Sequence, residues 1–171
     1  TKMLFNKIKK CRISDDKNLI KIGKLGDFSL TGTFNRKKKK FEKKTPIELV
    51  FSQKSKLLQL AHNYNEKKLF GKNYGYRSNL NQSMVSHLKK KRDSLIKIAK
   101  PQKNDLILDI GSNDGTLLNL FTNKFKRFGV DPTARKFKKY YQKDIKIIPK
   151  IFKNNILRKN KKFKLITSVA M

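Results

Sequence analysis

Two short stretches of the chain combine residue types that could hold a ligand. In the first, Asp109-Ile110-Gly111-Ser112-Asn113-Asp114-Gly115-Thr116, glycines and small polar residues follow the apolar run Leu106-Ile107-Leu108. Apolar residues then resume at helical spacing through Leu117, Leu118, Leu120 and Phe121, so the stretch reads as strand, tight loop and helix. Gly111 and Gly115 would let the backbone approach a ligand closely, and the helix start would offer unpaired N–H groups to polar or anionic atoms. The second stretch, Arg127-Phe128-Gly129-Val130-Asp131-Pro132, ends a short apolar strand in a carboxylate about 20 residues further on, the usual position for an acid that takes the hydroxyls of an adenosine ribose.

Three further groups carry chemistry-bearing residues. Tyr74-Gly75-Tyr76-Arg77-Ser78 sets two tyrosines, an arginine and a serine around a glycine, a composition suited to a loop that closes over a ligand; the alternative is that the tyrosines are half-buried anchors. His87 lies in a helical pattern and reads as either a packing or capping residue or a catalytic one. Cys11 and Ser14, and again Ser52 and Ser55, stand three positions apart, the ligand spacing of a four-thiolate zinc site with serine in three of the four places, or a coincidence of small polar residues in turns.

The elements that must position these residues follow from the patterning. Residues 1–62 are short apolar pieces broken by glycine and lysine runs, which suggests a few small strands in a thin module. Residues 63–100 form a linking loop and an amphipathic helix over Leu80–Lys100, whose inward positions read as Met84, His87, Leu88, Leu95, Ile96, Ile98 and Ala99; Pro101 closes it. Residues 101–171 alternate strand and helix. After the two stretches above come a helix over Ala134–Tyr141, a strand over Ile145–Ile148, a short helix over Ile151–Leu157 and a strand over Phe163–Val169. Such alternation predicts an α/β fold of right-handed βαβ units with a parallel sheet and a ligand crevice at the strand ends. Nothing follows to cover the last strand before Met171, so the chain is expected to be a fragment or truncated gene product.

Composition bounds the function. The chain has 171 residues, 44 Lys+Arg against 12 Asp+Glu, and a formal net charge of +32. That balance raises nucleic acid as a partner. The excess is nearly all lysine spread through the chain, as compositional drift would leave it, whereas a dedicated binding face concentrates arginine and aromatics. One cysteine excludes an internal disulfide framework and fits a reducing, cytoplasmic setting. No apolar run approaches the roughly 20 residues that span a bilayer, so no membrane partner is expected.

Taken in order, these motifs resemble one family. Cys11-Arg12-x-x, Leu25-Gly26 to Leu30-Thr31-Gly32-Thr33-Phe34, and Ser52-x-x-Ser55 leading into Leu57-Leu58-Gln59-Leu60 are similar to the N-terminal zinc-binding module of the nucleotide-sugar C-methyltransferases. Tyr74-Gly75-Tyr76-Arg77-Ser78, His87, Asp109 to Thr116 and Gly129-Val130-Asp131-Pro132 continue the resemblance over nearly the whole chain. It implies a truncated, Rossmann-like class I methyltransferase sheet preceded by a small, irregular, zinc-ribbon-like module and a helical segment. It also implies S-adenosylmethionine as cofactor, with Asp109, Gly111, Ser112, Asn113, Asp114, Gly115, Asp131 and Pro132 around it. Asp114 would repel a pyrophosphate, which argues for a cofactor without phosphates over a dinucleotide.

The implied reaction is methyl transfer to a carbon beside a keto group of a nucleotide-linked sugar. A base must remove the adjacent proton and donors must hold the enolate oxygen. The resemblance makes Tyr76 the first candidate at the reacting end, as a hydrogen-bond donor to the oxyanion, with Tyr74 and His87 after it. With serine at three of the four ligand positions, the chain is expected to hold no structural zinc, and without the parts of the family beyond Met171 it is expected to be inactive. The other readings are an RNA methyltransferase, favoured by the charge, and a non-catalytic remnant that binds cofactor or partners only.

Overall fold

The computed structural model of the chain describes residues 4–30, 44–70, 74–153, 156 and 162–169. They fall into two compact units, Thr1–Gly75 and Tyr76–Met171. The division passes through the Tyr74–Ser78 loop, so the segment read from sequence as a linker over 63–100 is shared between both units.

The N-terminal unit is built from antiparallel strands. β1 (Phe5–Lys7) pairs with β5 (His62–Tyr64), and β2 (Leu19–Phe28), β3 (Thr45–Ser52) and β4 (Leu57–Leu60) form a sheet in that order. A tight turn at Gln53–Lys56, with Lys56 at φ 56°, joins β3 to β4. Alternation along β3 places Val50 and Ser52 on a buried face together with Gln59 of β4. The opposite face carries the cross-strand row Ile20, Phe51 and Leu58, whose end members are 44% and 53% exposed, so this apolar face is open among the described residues. A single-turn helix, α1 (Glu66–Leu69), follows β5; its N-cap Asn65 accepts the Lys68 N–H, a cap the sequence reading passed over.

The C-terminal unit begins with α2 (Gln82–Ala99), capped by Asn81 and ended by Lys100 in the left-handed conformation just before Pro101. Its packed side carries Met84, Val85, Leu88, Arg92, Leu95, Ile96 and Ala99. His87 and Ile98, read from sequence as inward, are exposed. At 3.6 residues per turn they stand roughly 100° and 80° around the helix from Leu88, beyond the edge of the apolar stripe.

Four parallel strands follow: β6 (Leu106–Ile110), β7 (Lys126–Val130), β8 (Lys146–Ile148) and β9 (Leu165–Ser168). Their order across the sheet is β8-β7-β6-β9. The chain thus steps outward from β6 to β8 and then crosses back to the other side of β6, so the order reverses at the β6–β9 boundary. In open parallel sheets such a reversal is the usual place for a ligand to bind, beyond the carboxyl ends of the strands. On one face Leu108, Phe128 and Val130 pack with Leu106, Ile110, Ile148, Phe152, Ile156 and Phe163. The other face is covered by α3 (Thr116–Leu120), whose Leu118 reaches Gly129 and whose end is held by the buried Arg127 guanidinium, which donates to the Leu118 and Phe121 carbonyls, to Gln142 and to Asp144.

The helix expected over Ala134–Tyr141 does not form. Turns occupy the segment, with one 3-10 turn at Lys138–Tyr140, although Ala134, Phe137 and Tyr141 are buried at the expected spacing. Arg135, Lys136, Lys138 and Lys139 would stand three and four apart on a helix, where like charges repel. Of the helix expected over Ile151–Leu157, residues 151–153 are not helical and most of the remainder lies outside the described residues. No helix among the described residues is long and apolar enough to cross a membrane.

Candidate functional site

The glycine loop starts where β6 ends. Gly111 and Gly115 adopt φ of +74° and +79°, and Asn113 between them lies at +50°, a path that favours glycine at the first two positions. The Gly111 N–H reaches the Val130 carbonyl at 2.8 Å and the Gly115 N–H reaches the Ser112 carbonyl at 2.8 Å, which closes the turn and ties it to β7. Gly129 of β7 makes room for it: a Cβ there would come within 2.6 Å of Ser112 Oγ.

Asp131 organises the same corner from the β7 side. One carboxylate oxygen accepts the Asn113 N–H at 2.9 Å; the other accepts the Thr133 N–H at 2.6 Å and its hydroxyl at 2.5 Å. Both landmarks of the sequence thus meet, and the acid bridges them directly. Three donors leave the Asn113-facing oxygen with acceptor capacity for a ligand hydroxyl. Pro132 lies half-buried beside it.

Asp114, in contrast, spends its carboxylate on partners within the chain. Its carboxylate accepts the Thr116 N–H and hydroxyl and the Asn79 N–H, and it stands 3.4 Å from Arg77 Nε. The N–H group that starts α3 is therefore taken by Asp114 rather than left open, contrary to the expectation of an exposed helix start. Gly115 differs too, because the space over its Cα is filled by the Tyr141 ring, 2.6 Å from where a Cβ would stand. Tyr141 Oη lies 2.8 Å from Ser112 Oγ and donates to the Asn113 carbonyl at 2.8 Å. Burial pushes the pKa of this phenol upward, so it stays a proton donor. Tyr141 escaped the sequence reading because the contact spans 29 residues and no local pattern marks it.

A second set of bonds joins the loop to the segment before α2. Asn113 Nδ2 donates to the Tyr76 carbonyl at 3.1 Å, and Asn113 Oδ1 accepts the Ser78 N–H at 3.0 Å. Tyr76, whose side chain is 45% exposed, is thereby held beside the glycine loop by its backbone while its phenol stays accessible. Tyr74 belongs to the N-terminal unit, where its ring packs at 5.6 Å from Phe70. His87 sits on the exposed side of α2.

Electrostatically the corner is acidic in a strongly basic chain. Asp109, Asp114 and Asp131 are 4%, 1% and 7% exposed, and Arg77 is the one cation shown beside any of them among the described residues. Asp109 receives the Thr167 hydroxyl on one oxygen at 2.7 Å. Burial, reinforced by the charge of Asp131 and opposed by that hydrogen bond, raises its pKa to about 7. A ligand that brings positive charge would favour the ionised form of Asp109 beside Asp131.

In the N-terminal unit the four spaced positions converge. Cys11 Sγ lies 3.2 Å from Ser55 Oγ, and Ser14 Oγ lies 3.4 Å from Ser52 Oγ. Ser52 also donates to Asp16 at 3.0 Å, and Gln59 Nε2 donates to Cys11 Sγ at 3.2 Å. A hydrogen-bonded cluster thus occupies the place the spacing marked, and no group of three or more His, Cys, Asp or Glu able to hold a metal occurs among the described residues. Beside it Arg12 donates to Gln59, the Leu60 and His62 carbonyls and Asn63, clamping β4 to β5.

The class that these features define is a mixed α/β chain with a four-stranded parallel sheet and a glycine turn set among buried acids at the strand ends. No known protein-family model matches the sequence, and no curated protein matches it.

Proposed function

We propose that the parallel sheet is Rossmann-like, that its crevice binds S-adenosylmethionine, and that the chain serves methyl transfer to a carbon beside the keto group of a nucleotide-linked sugar. The observation that carries the reading is the pair of buried carboxylates, Asp109 and Asp131, at the carboxyl ends of adjacent strands beside the order reversal. A dinucleotide would bring two phosphates to this acidic corner, whereas a sulfonium and an ammonium are attracted to it. Asp131 has acceptor capacity left for a ribose hydroxyl, and the Gly111 turn keeps side chains out of the approach.

When bound, the cofactor supplies an electrophilic methyl group. The chain's own residues orient it: Asp131 holds the ribose edge, Asp109 faces positive charge, and Asn113 fixes the loop between them. Tyr76, backbone-anchored next to the loop and 45% exposed, would donate a hydrogen bond to the keto oxygen of the sugar, polarising the carbonyl beside the carbon to be methylated. The resemblance of the ordered motifs to the nucleotide-sugar C-methyltransferases supplies the substrate class.

Calorimetric titration tests the reading. S-adenosylmethionine is expected to bind and NAD not to; Asp131→Ala is expected to weaken binding roughly tenfold or more, the consequence of losing a buried charged acceptor. Absence of binding to the folded chain would refute the cofactor assignment.

A further inference from the structure

Arg77 is held in place without using the part of its side chain that recognises anions. Its guanidinium carbon lies 3.4 Å from the centroid of the Tyr140 ring, and its Nε lies 3.4 Å from Asp114 Oδ2. Asp114 also accepts three hydrogen bonds from Thr116 and Asn79, so Arg77 supplies countercharge at Nε while its terminal nitrogens take no part in holding that carboxylate. Nε is buried without a hydrogen bond, and none is shown from either terminal nitrogen among the described residues. The side chain is only 18% exposed. Stacking on one side and ion pairing at Nε fix the plane and direction of the group and leave its terminal fork unpaired, the edge that takes a carboxylate through two parallel hydrogen bonds.

The fork stands beside the glycine loop. Residues on both sides of Arg77 are fastened to Asn113, through the Tyr76 carbonyl and the Ser78 N–H, and Asn113 is fastened in turn to Asp131. An amino-acid group needs a cation for its carboxylate and an anion for its ammonium. Arg77, in contact with Asp114 of the glycine loop, is the candidate for the first, and the Asp109–Asp131 pair at the start of that loop for the second. A phosphate, with more charge than a carboxylate, would meet the same acids at greater cost.

The geometry points to Arg77 as the residue that receives the carboxylate at the amino-acid end of the bound cofactor, a specificity role that rests on the S-adenosylmethionine reading above. The role predicts discrimination between two ligands that differ in that group alone. Calorimetry on the full chain would compare S-adenosylmethionine with its decarboxylated analogue for the unaltered protein, Arg77→Gln and Arg77→Lys, with thermal melts to check folding and UDP as a phosphate control. The unaltered chain is expected to prefer the carboxylated ligand by roughly 10- to 100-fold, the span of a charge-assisted bidentate contact. Arg77→Gln is expected to bind both ligands alike, at the weaker affinity, and Arg77→Lys to keep part of the preference.

A structural clamp alone would lower stability while leaving the preference intact, and that result overturns the proposal. Equal binding of the two ligands by the unaltered chain overturns it whether or not the variants fold. So does an Arg77→Gln variant that loses UDP binding but keeps the preference. Failure of the unaltered chain to bind either ligand overturns the cofactor reading and this inference together.

Discussion

At Asp109 the burial that marks the site also sets a pH dependence. An acid whose pKa is higher folded than unfolded holds its proton more tightly in the folded chain. Its contribution to stability is therefore full below about 4 and is lost as the pH rises through about 7. Asp109→Asn, which keeps an acceptor for Thr167, is expected to melt at a higher temperature than the unaltered chain at pH 8 and to flatten the decline between pH 5 and 8; circular dichroism melts at both values check this. Cys11, Ser14, Ser52 and Ser55 allow a second test. Because their side chains already meet, the triple variant Ser14→Cys/Ser52→Cys/Ser55→Cys is expected to take up one zinc ion, read by metal analysis after dialysis. The spacing marked these four positions but left a coincidence of small polar residues open, and contact between them is what the fold adds; Asp131 was marked by its place after a short strand. The pairing of Ser112 with Gly129 and the ring of Tyr141 over Gly115 were not, since each joins residues that no periodicity connects.

Among the elements, the parallel strands and α2 were readable because their apolar runs, though short in the strands, are punctuated by Pro101 and the glycines. The segment from Ala134 to Tyr141 was misread because the spacing of its buried residues is helical while its charges oppose a helix. Its position is enforced from outside, by Asp131 at one end and by Arg127 through Gln142 and Asp144 at the other. Arg127 is completely buried yet joins α3, β7 and this segment, so removing it strands several polar partners at once. Arg127→Ala is expected to cost on the order of 3 kcal/mol, measured by urea unfolding. Arg127→Lys should recover only a fraction, because one ammonium cannot span the carbonyls and both side chains in the same geometry.

For the molecule as a whole, the +32 charge was legible from composition, but what it does for the chain depends on a face that composition hides. The row Ile20, Phe51 and Leu58 lies open, among the described residues, on a sheet whose copies would otherwise attract one another through apolar contact. Repulsion between highly charged copies acts against that attraction and is cut off over about 10 Å at 0.1 M salt and about 3 Å at 1 M. The lysines are thus expected to act as a charged colloid's surface does, keeping copies of the chain apart. Light scattering is expected to show particle size rising with sodium chloride between these concentrations, and Leu58→Lys, which interrupts the row, is expected to suppress the rise. An unchanged response in that variant would show that the association runs through another surface. Low ionic strength is then the condition expected to favour dispersed single chains, and molar salt the condition expected to bring the apolar rows of two copies together.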